Sequence, residues 1–256
     1  MLALAPVAPS ARDRCRCAKA AHCSGIAEPG QNPRERARRE IHAVLAHPIQ
    51  QAEFLLTVAN DEQLPPPSVP EIAFAGRSNA GKSSAINALA NRTRLAFTSK
   101  TPGRTQQINF FRMKGGALLA DLPGYGFAAV PKALKQHWQG FLARYVAARQ
   151  SLVGLVLIVD ARHGLSDLDR TLLSGYLPSG RPVLVLATKI DKLANAAQRA
   201  ATRGIERDVT SAFPVHASQI EVVGFSATRR IGIEQAEATL AAWLGETGFD
   251  APGASA

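Results

Sequence analysis

Cysteine is scarce in this chain, and all of it sits at one end. The 256 residues hold three cysteines, Cys15, Cys17 and Cys23, all within the first 25 positions. A disulfide framework for the body of the chain is therefore excluded. C-x-C-x5-C beside His22 offers zinc-type ligands, but its spacing matches no common zinc module. The expectation is incidental cysteines in a polar tail. Aromatics are few, at 6%, and no apolar run approaches the ~20 residues that a membrane-spanning helix needs. The opening Met1-Leu2-Ala3-Leu4-Ala5-Pro6 lacks the basic leader of a secretory signal, so a cytoplasmic location without membrane contact is expected. Acidic residues are missing from a long stretch. Between Ile72 and Ala120 there is no Asp or Glu, while Arg77, Lys82, Arg92, Arg94, Lys100, Arg104, Arg112 and Lys114 all fall there. With a net charge of +10, this points to a polyanionic partner and suggests a nucleic-acid surface beside whatever site the stretch carries; an ordinary solvated basic face is the alternative.

What the chain does have is an apolar content of 46%, enough for one sizeable core. Residues 1–50 are rich in Ala, Arg and Pro, with at most a short helix at 34–46, and read as a disordered or spurious extension. Methionine occurs only at Met1 and Met113. A start downstream of Met1 at a non-AUG codon is therefore expected, and an intact native mass near 27.2 kDa would contradict it. A lead-in with the linker Pro65-Pro66-Pro67 fills 51–70, an α/β domain 71–245, and a short tail 246–256. The pattern predicts strands at 71–76, 107–113, 117–121, 152–160, 182–188 and 220–225. Helices are predicted at 82–90, 131–149, 167–177, 195–211 and 231–244. Two strands are nearly all apolar, as strands covered on both faces are. The alternation implies a three-layer α/β fold with a mostly parallel six-stranded sheet and ligands at the carboxyl ends of its strands.

The segment Gly76-Arg77-Ser78-Asn79-Ala80-Gly81-Lys82-Ser83 fits G-x-x-x-x-G-K-[ST] between a predicted strand and a predicted helix. Its glycines allow the backbone to wrap a polyphosphate, its N–H groups face the oxygens, Lys82 reaches the β- and γ-phosphates and Ser83 binds Mg²⁺. Asp121-Leu122-Pro123-Gly124 follows a strand, 38 residues beyond Ser83. Asp121 suits a Walker-B acid for Mg²⁺, and Gly124 can offer an N–H to the γ-phosphate.

Thr188-Lys189-Ile190-Asp191 decides between bases. Guanine presents N1–H and N2–H₂ on one edge, and the Asp191 carboxylate accepts both, with the Lys189 stem against the ring; adenine lacks that pair of donors. Phe225-Ser226-Ala227 can meet the guanine carbonyl oxygen through its backbone. These motifs disfavour a P-loop ATPase or kinase. Gly103-Arg104-Thr105-Gln106-Gln107 suits a mobile loop in which Thr105 completes the Mg²⁺ shell when a γ-phosphate is present; Thr101 competes for that role. Lys82, Thr105, Gly124 and Asn79 are the candidate catalytic groups. Ser83, Thr105 and Asp121 are the candidate metal ligands.

G-R-S-N-A-G-K-S-S, K-T-P-G-R-T-Q, D-L-P-G-Y-G, T-K-I-D and F-S-A together resemble the EngB (YihA/YsxC) family of bacterial GTPases over residues 54–244. The resemblance implies a small-GTPase-like G domain that binds GTP and GDP with Mg²⁺ and assists assembly of the large (50S) ribosomal subunit, touching rRNA and ribosomal proteins. It also implies a role in cell division and septation. It covers nothing before about residue 50. A monomer is expected.

Many GTPases carry a Gln after D-x-x-G to orient the attacking water. Tyr125 stands there, and the resemblance implies that its side chain turns away, so intrinsic hydrolysis should be slow. The resemblance also gives Asn79 two readings: a K⁺ ligand supplying charge where an arginine finger would, or a hydrogen-bonding loop residue. Arg104 reads either as a finger or as an rRNA contact. Trp138 and Phe141 share a helical face and read as core. A regulatory switch that binds a protein partner in division, without RNA, is the alternative to the ribosomal reading.

Overall fold

The computed structural model of the chain describes residues 47–96, 107–126 and 132–247; of 132–139 and of 246 only the backbone is described. All of these fall within the unit Glu40–Ala256. The possible helix at 34–46, the three N-terminal cysteines, and Thr101 and residues 103–106 of the loop, Thr105 included, lie outside the described residues.

The strands are β1 (Glu53–Val58), β2 (Glu71–Gly76), β3 (Ile108–Arg112), β4 (Leu118–Asp121), β5 (Leu152–Asp160), β6 (Val183–Thr188) and β7 (Ile220–Gly224). The helices are α1 (Lys82–Leu89), α2 (Lys132–Ala148), α3 (Asp167–Tyr176), α4 (Asn195–Ala212) and α5 (Ile233–Glu246). Among the described residues the sheet has seven strands, not six, in the order β1-β3-β4-β2-β5-β6-β7. Five are parallel; β3 runs antiparallel to β4, and β1 antiparallel to β3. The extra strand is β1, inside the lead-in. It is an edge strand, mostly exposed or half-buried, with a register shift between Phe54 and Leu56, so no clean alternation marks it in the sequence. Phe54 packs edge-on against Phe111, with ring centroids 6.0 Å apart.

The central strands read as apolar runs because both of their faces are covered: every residue of β2 and β6 is buried. One core cluster packs Phe141, Tyr145, Leu173, Tyr176, Ile205 and Val209 from α2, α3 and α4 onto the sheet. Phe141 is thus core, as its spacing implied, while the Trp138 side chain lies among those not described. The opposite cluster brings in Ile86 and Leu89 from α1, and Leu240 and Trp243 from α5. At the amino end of the sheet, the fully buried Glu71 carboxylate accepts from Tyr145 Oη and Ser151 Oγ, both at 2.9 Å, and pairs with Arg149. Arg149 also donates to Pro65 O at 2.6 Å, which ties the linker to the end of α2.

The parallel register sets the carboxyl ends of the strands side by side. Phe74 pairs with Asp121, Gly76 with Ile158, Asp160 with Thr188, and Ala187 with Gly224. Gly76, Asp121, Asp160, Thr188 and Phe225 therefore end at one edge of the sheet, where the loops of such a fold carry function.

Candidate functional site

The loop 77–81 leaves β2 and enters α1 at Lys82. Close approach of the chain demands glycine at two points. A Cβ on Gly76 would sit 2.7 Å from Ile158 O, and one on Gly124 would sit 3.1 Å from Ser78 Cα. Ser78 N donates to Tyr125 O at 2.9 Å, and Tyr125 N to Gly76 O at 3.3 Å. The D-x-x-G segment thus lies directly along the phosphate-type loop. Leu122 and Pro123 are buried, and Leu122 N donates to Phe74 O at 2.9 Å.

Lys82 Nζ pairs with Asp121 Oδ1, both side chains largely buried. Ser83, at the start of α1, is also buried. Helix α1 and strand β4 therefore bring Lys82 and Asp121 together, with Ser83 next to Lys82 in the first turn of α1. Asn79 sits in the left-handed region at φ 62°, and its carbonyl accepts from Lys189 Nζ at 2.5 Å. Its exposed side chain makes no hydrogen bond among the described residues.

The Tyr125 hydroxyl donates to Asp169 Oδ1 at 2.5 Å. Burial, then the charge of Asp169, pushes this phenol far above its usual value, so it stays protonated. Asp169 also accepts from Ser166 N at 2.8 Å and Ser166 Oγ at 2.6 Å, closing the capping box of α3.

The T-K-I-D segment is locked to both neighbours. Thr188 Oγ1 donates to Ala80 O at 2.5 Å and to Val159 O at 3.1 Å. Lys189 is left-handed at φ 59°, which turns the chain out of β6 into the short turn Ile190–Lys192. Ile190 is buried, and its N–H reaches Phe225 O at 3.4 Å. The Asp191 carboxylate accepts from Ser226 Oγ at 2.7 Å, and this hydrogen bond holds its pKa below the usual carboxylate range. Phe225 is core and Ser226 N bonds Ile231 O at 3.0 Å, while the Ala227 N–H makes no bond among the described residues.

Asp160 carries no motif and was not expected here. It accepts from Arg162 Nε at 2.9 Å and Arg162 Nη2 at 2.7 Å, and it pairs with Lys189 Nζ at 3.0 Å. A cleft of about 220 Å³ opens beside it, lined by Arg77, Ser78, Asn79, Arg162, His163 and Lys189 among others. Gln107 is exposed just before β3; Gly103, Arg104, Thr105 and Gln106 lie outside the described residues.

The described cations of the acid-free stretch do not form one surface beside the site. Arg112 and Glu71 both stand opposite Leu118, so Arg112 and Lys114 mark the amino end of β2. Helix α1 runs about 12 Å back along the sheet before Arg92 and Arg94. These four exposed cations occupy the far end of the domain; among the described cations of this stretch, Arg77 and Lys82 lie at the site.

Comparison with known proteins agrees with this geometry. A family model described as a 50S ribosome-binding GTPase matches residues 71–189. The "Probable GTP-binding protein EngB" of Aromatoleum aromaticum is 52% identical over 78% of this chain and 91% of its own length. The chain belongs to the EngB family of GTP-binding proteins. It is a GTPase. The EngB protein of an Azoarcus species is 50% identical over 75% of this chain and 91% of its own length. The fold recurs in a crystal structure of an EngB protein, with TM-score 0.55, 22% identity, and coverage of 69% of this chain and 99% of that one. It recurs also in Aquifex aeolicus Era bound to GDP and aluminium fluoride, with TM-score 0.54, 20% identity, and coverage of 69% and 57%. The EngB G domain is thus a P-loop GTPase fold, here with seven strands.

Proposed function

We propose that this EngB-family GTPase is a cytoplasmic, monomeric GTP-gated switch that acts in assembly of the large ribosomal subunit, and through that in normal cell division. The observation that carries the ribosomal part is the match of residues 71–189 to a 50S ribosome-binding GTPase model. An excess of unpaired cations supports it. Arg77 beside the site, and Arg92, Arg94, Arg112 and Lys114 at the opposite end of the domain, make no ion pair among the described residues, so both ends leave positive charge available to rRNA phosphates.

In this reading the backbone of 76–83 cradles the phosphates. Lys82, which pairs with the Asp121 carboxylate, places its charge at the β- and γ-phosphates. Asp191 accepts from the guanine edge, Lys189 lies along the ring, and the Ala227 N–H serves the guanine carbonyl. The donor set suits Mg²⁺. Ser83 and Asp121 are hard oxygen ligands, and a single carboxylate beside phosphate oxygens is the usual magnesium arrangement. Thr105 would add a ligand in the GTP state. Bound there, Mg²⁺ would neutralise charge on the phosphate oxygens. Gly124 and the Ser78 backbone remain in contact to sense the γ-phosphate position. Tyr125, committed to Asp169, is not available to orient water, so hydrolysis is slow until a partner or a cation at Asn79 assists.

The test is GTP hydrolysis with and without purified large ribosomal subunits. Stimulation of tenfold or more by large subunits, and none by small subunits, supports the reading. Equal rates in all three mixtures overturn it. GTP binding at least a hundredfold tighter than ATP binding tests the base assignment independently.

A further inference from the structure

The strongest feature left unused by this account is the carboxylate at the end of β5. Asp160 is buried, stands opposite Thr188 in the β5–β6 register, and meets the ammonium of Lys189 at 3.0 Å. That ammonium is shared with the carbonyl of Asn79, so Lys189 bridges the phosphate-type loop and β5. Lys189 also occupies the left-handed region, a conformation that costs free energy in a residue with a Cβ. Its backbone sets the direction of the turn that presents Asp191, through Lys192 N to Lys189 O at 3.0 Å.

We infer that Asp160 is a positioning residue for guanine recognition: by clamping the Lys189 ammonium against Asn79 it fixes both the lysine stem along the base and the turn that aims Asp191. This rests on the assignment of Lys189 and Asp191 to the base. Arg162 has a supporting part. Its two-nitrogen grip on Asp160 orients the carboxylate and leaves one oxygen, Oδ2, shared between Arg162 and Lys189. Burial works against the charged form of Asp160, but the Arg162 and Lys189 hydrogen bonds outweigh it and keep the carboxyl ionised at every physiological pH.

Lys189 and Asp191 contribute differently to base recognition. The stem of Lys189 along the ring serves any purine, whereas the aim of Asp191 serves only a base with N1–H and N2–H₂. Loosening the clamp should therefore weaken all purine nucleotides and, in addition, erode the preference for guanine over hypoxanthine, which lacks the 2-amino group. A role confined to holding the fold together would lower the melting temperature without changing that ratio.

The experiment uses the full chain and fluorescent GDP, with IDP, the hypoxanthine analogue, as competitor. Asp160→Asn, nearly the same shape without the charge, should lose on the order of tenfold in GDP affinity, through faster release, with a smaller GDP-to-IDP preference. Asp160→Glu should recover part of both. In a Lys189→Met background, Asp160→Asn should cause no further loss. GDP affinity within twofold of the parent, or the same loss with and without Lys189, overturns the inference. If Lys189→Met and Asp191→Asn themselves leave GDP affinity unchanged, it is the base assignment that fails. Melting temperatures of the nucleotide-free variants identify any loss due to unfolding.

Discussion

Tyr125 Oη and Asp169 Oδ1 lie 2.5 Å apart, and this contact joins the segment after Gly124 to the capping box of α3. The residue in the position where many GTPases place a water-orienting Gln is thereby part of a helix cap. Tyr125→Phe should cost about 1 kcal/mol, a drop of about 2–4 °C in melting temperature, and leave intrinsic kcat within threefold. A tenfold fall in kcat at unchanged melting temperature would show that the phenol takes part in hydrolysis.

The Ser226 hydroxyl keeps Asp191 ionised and aimed. The folded pKa of Asp191 is depressed, so its favourable contribution is present above the unfolded value of about 4 and is lost as pH falls through the lower folded value. Ser226→Ala should weaken GDP binding about fivefold at neutral pH and move the acid limb of the binding curve upward. An unchanged limb with unchanged affinity would remove Ser226 from the recognition machinery.

The Glu71–Arg149 pair lies at the opposite end of the sheet from the site, with Glu71 fully buried. Arg149→Met leaves that carboxylate without its cation and frees the Pro65 carbonyl. A loss on the order of 3 kcal/mol in stability is expected, with GDP affinity in the folded protein unchanged. Denaturant unfolding beside nucleotide titration checks it; a weakened Kd with normal stability would contradict a purely structural role.

The Asn79 side chain is exposed, and no hydrogen bond within the described residues engages it. If a monovalent cation sits against it in the GTP-bound state, hydrolysis in KCl should exceed that in NaCl severalfold at equal ionic strength, and Asn79→Ala should abolish the difference. Equal rates for the parent protein would leave Asn79 as a loop residue only.

The motifs were legible because phosphate and guanine chemistry demands particular residue types at fixed spacing after a strand. Gly76, Lys82, Asp121 and Asp191 therefore announced themselves, and the apolar runs of β5 and β6 declared strands covered on both faces. β1 did not, because an exposed edge strand with a register shift carries neither a continuous apolar run nor an alternation. Asp160 was hidden for a different reason: a single acid at a strand end has no pattern until the fold brings Lys189 to it. In the basic stretch, nearness in sequence is not nearness in space for four of its described members. The α1 helix and the β3–β4 reversal carry Arg92, Arg94, Arg112 and Lys114 to the far end of the sheet.

A GTP-dependent encounter with the large ribosomal subunit is the step on which the proposed function rests. Co-sedimentation with purified large subunits, in a non-hydrolysable GTP analogue or in GDP and at low and moderate salt, tests it most directly. Binding in the GTP-analogue state that weakens steeply with salt is the expected result. No binding in either nucleotide state, with GTP affinity intact, would contradict it.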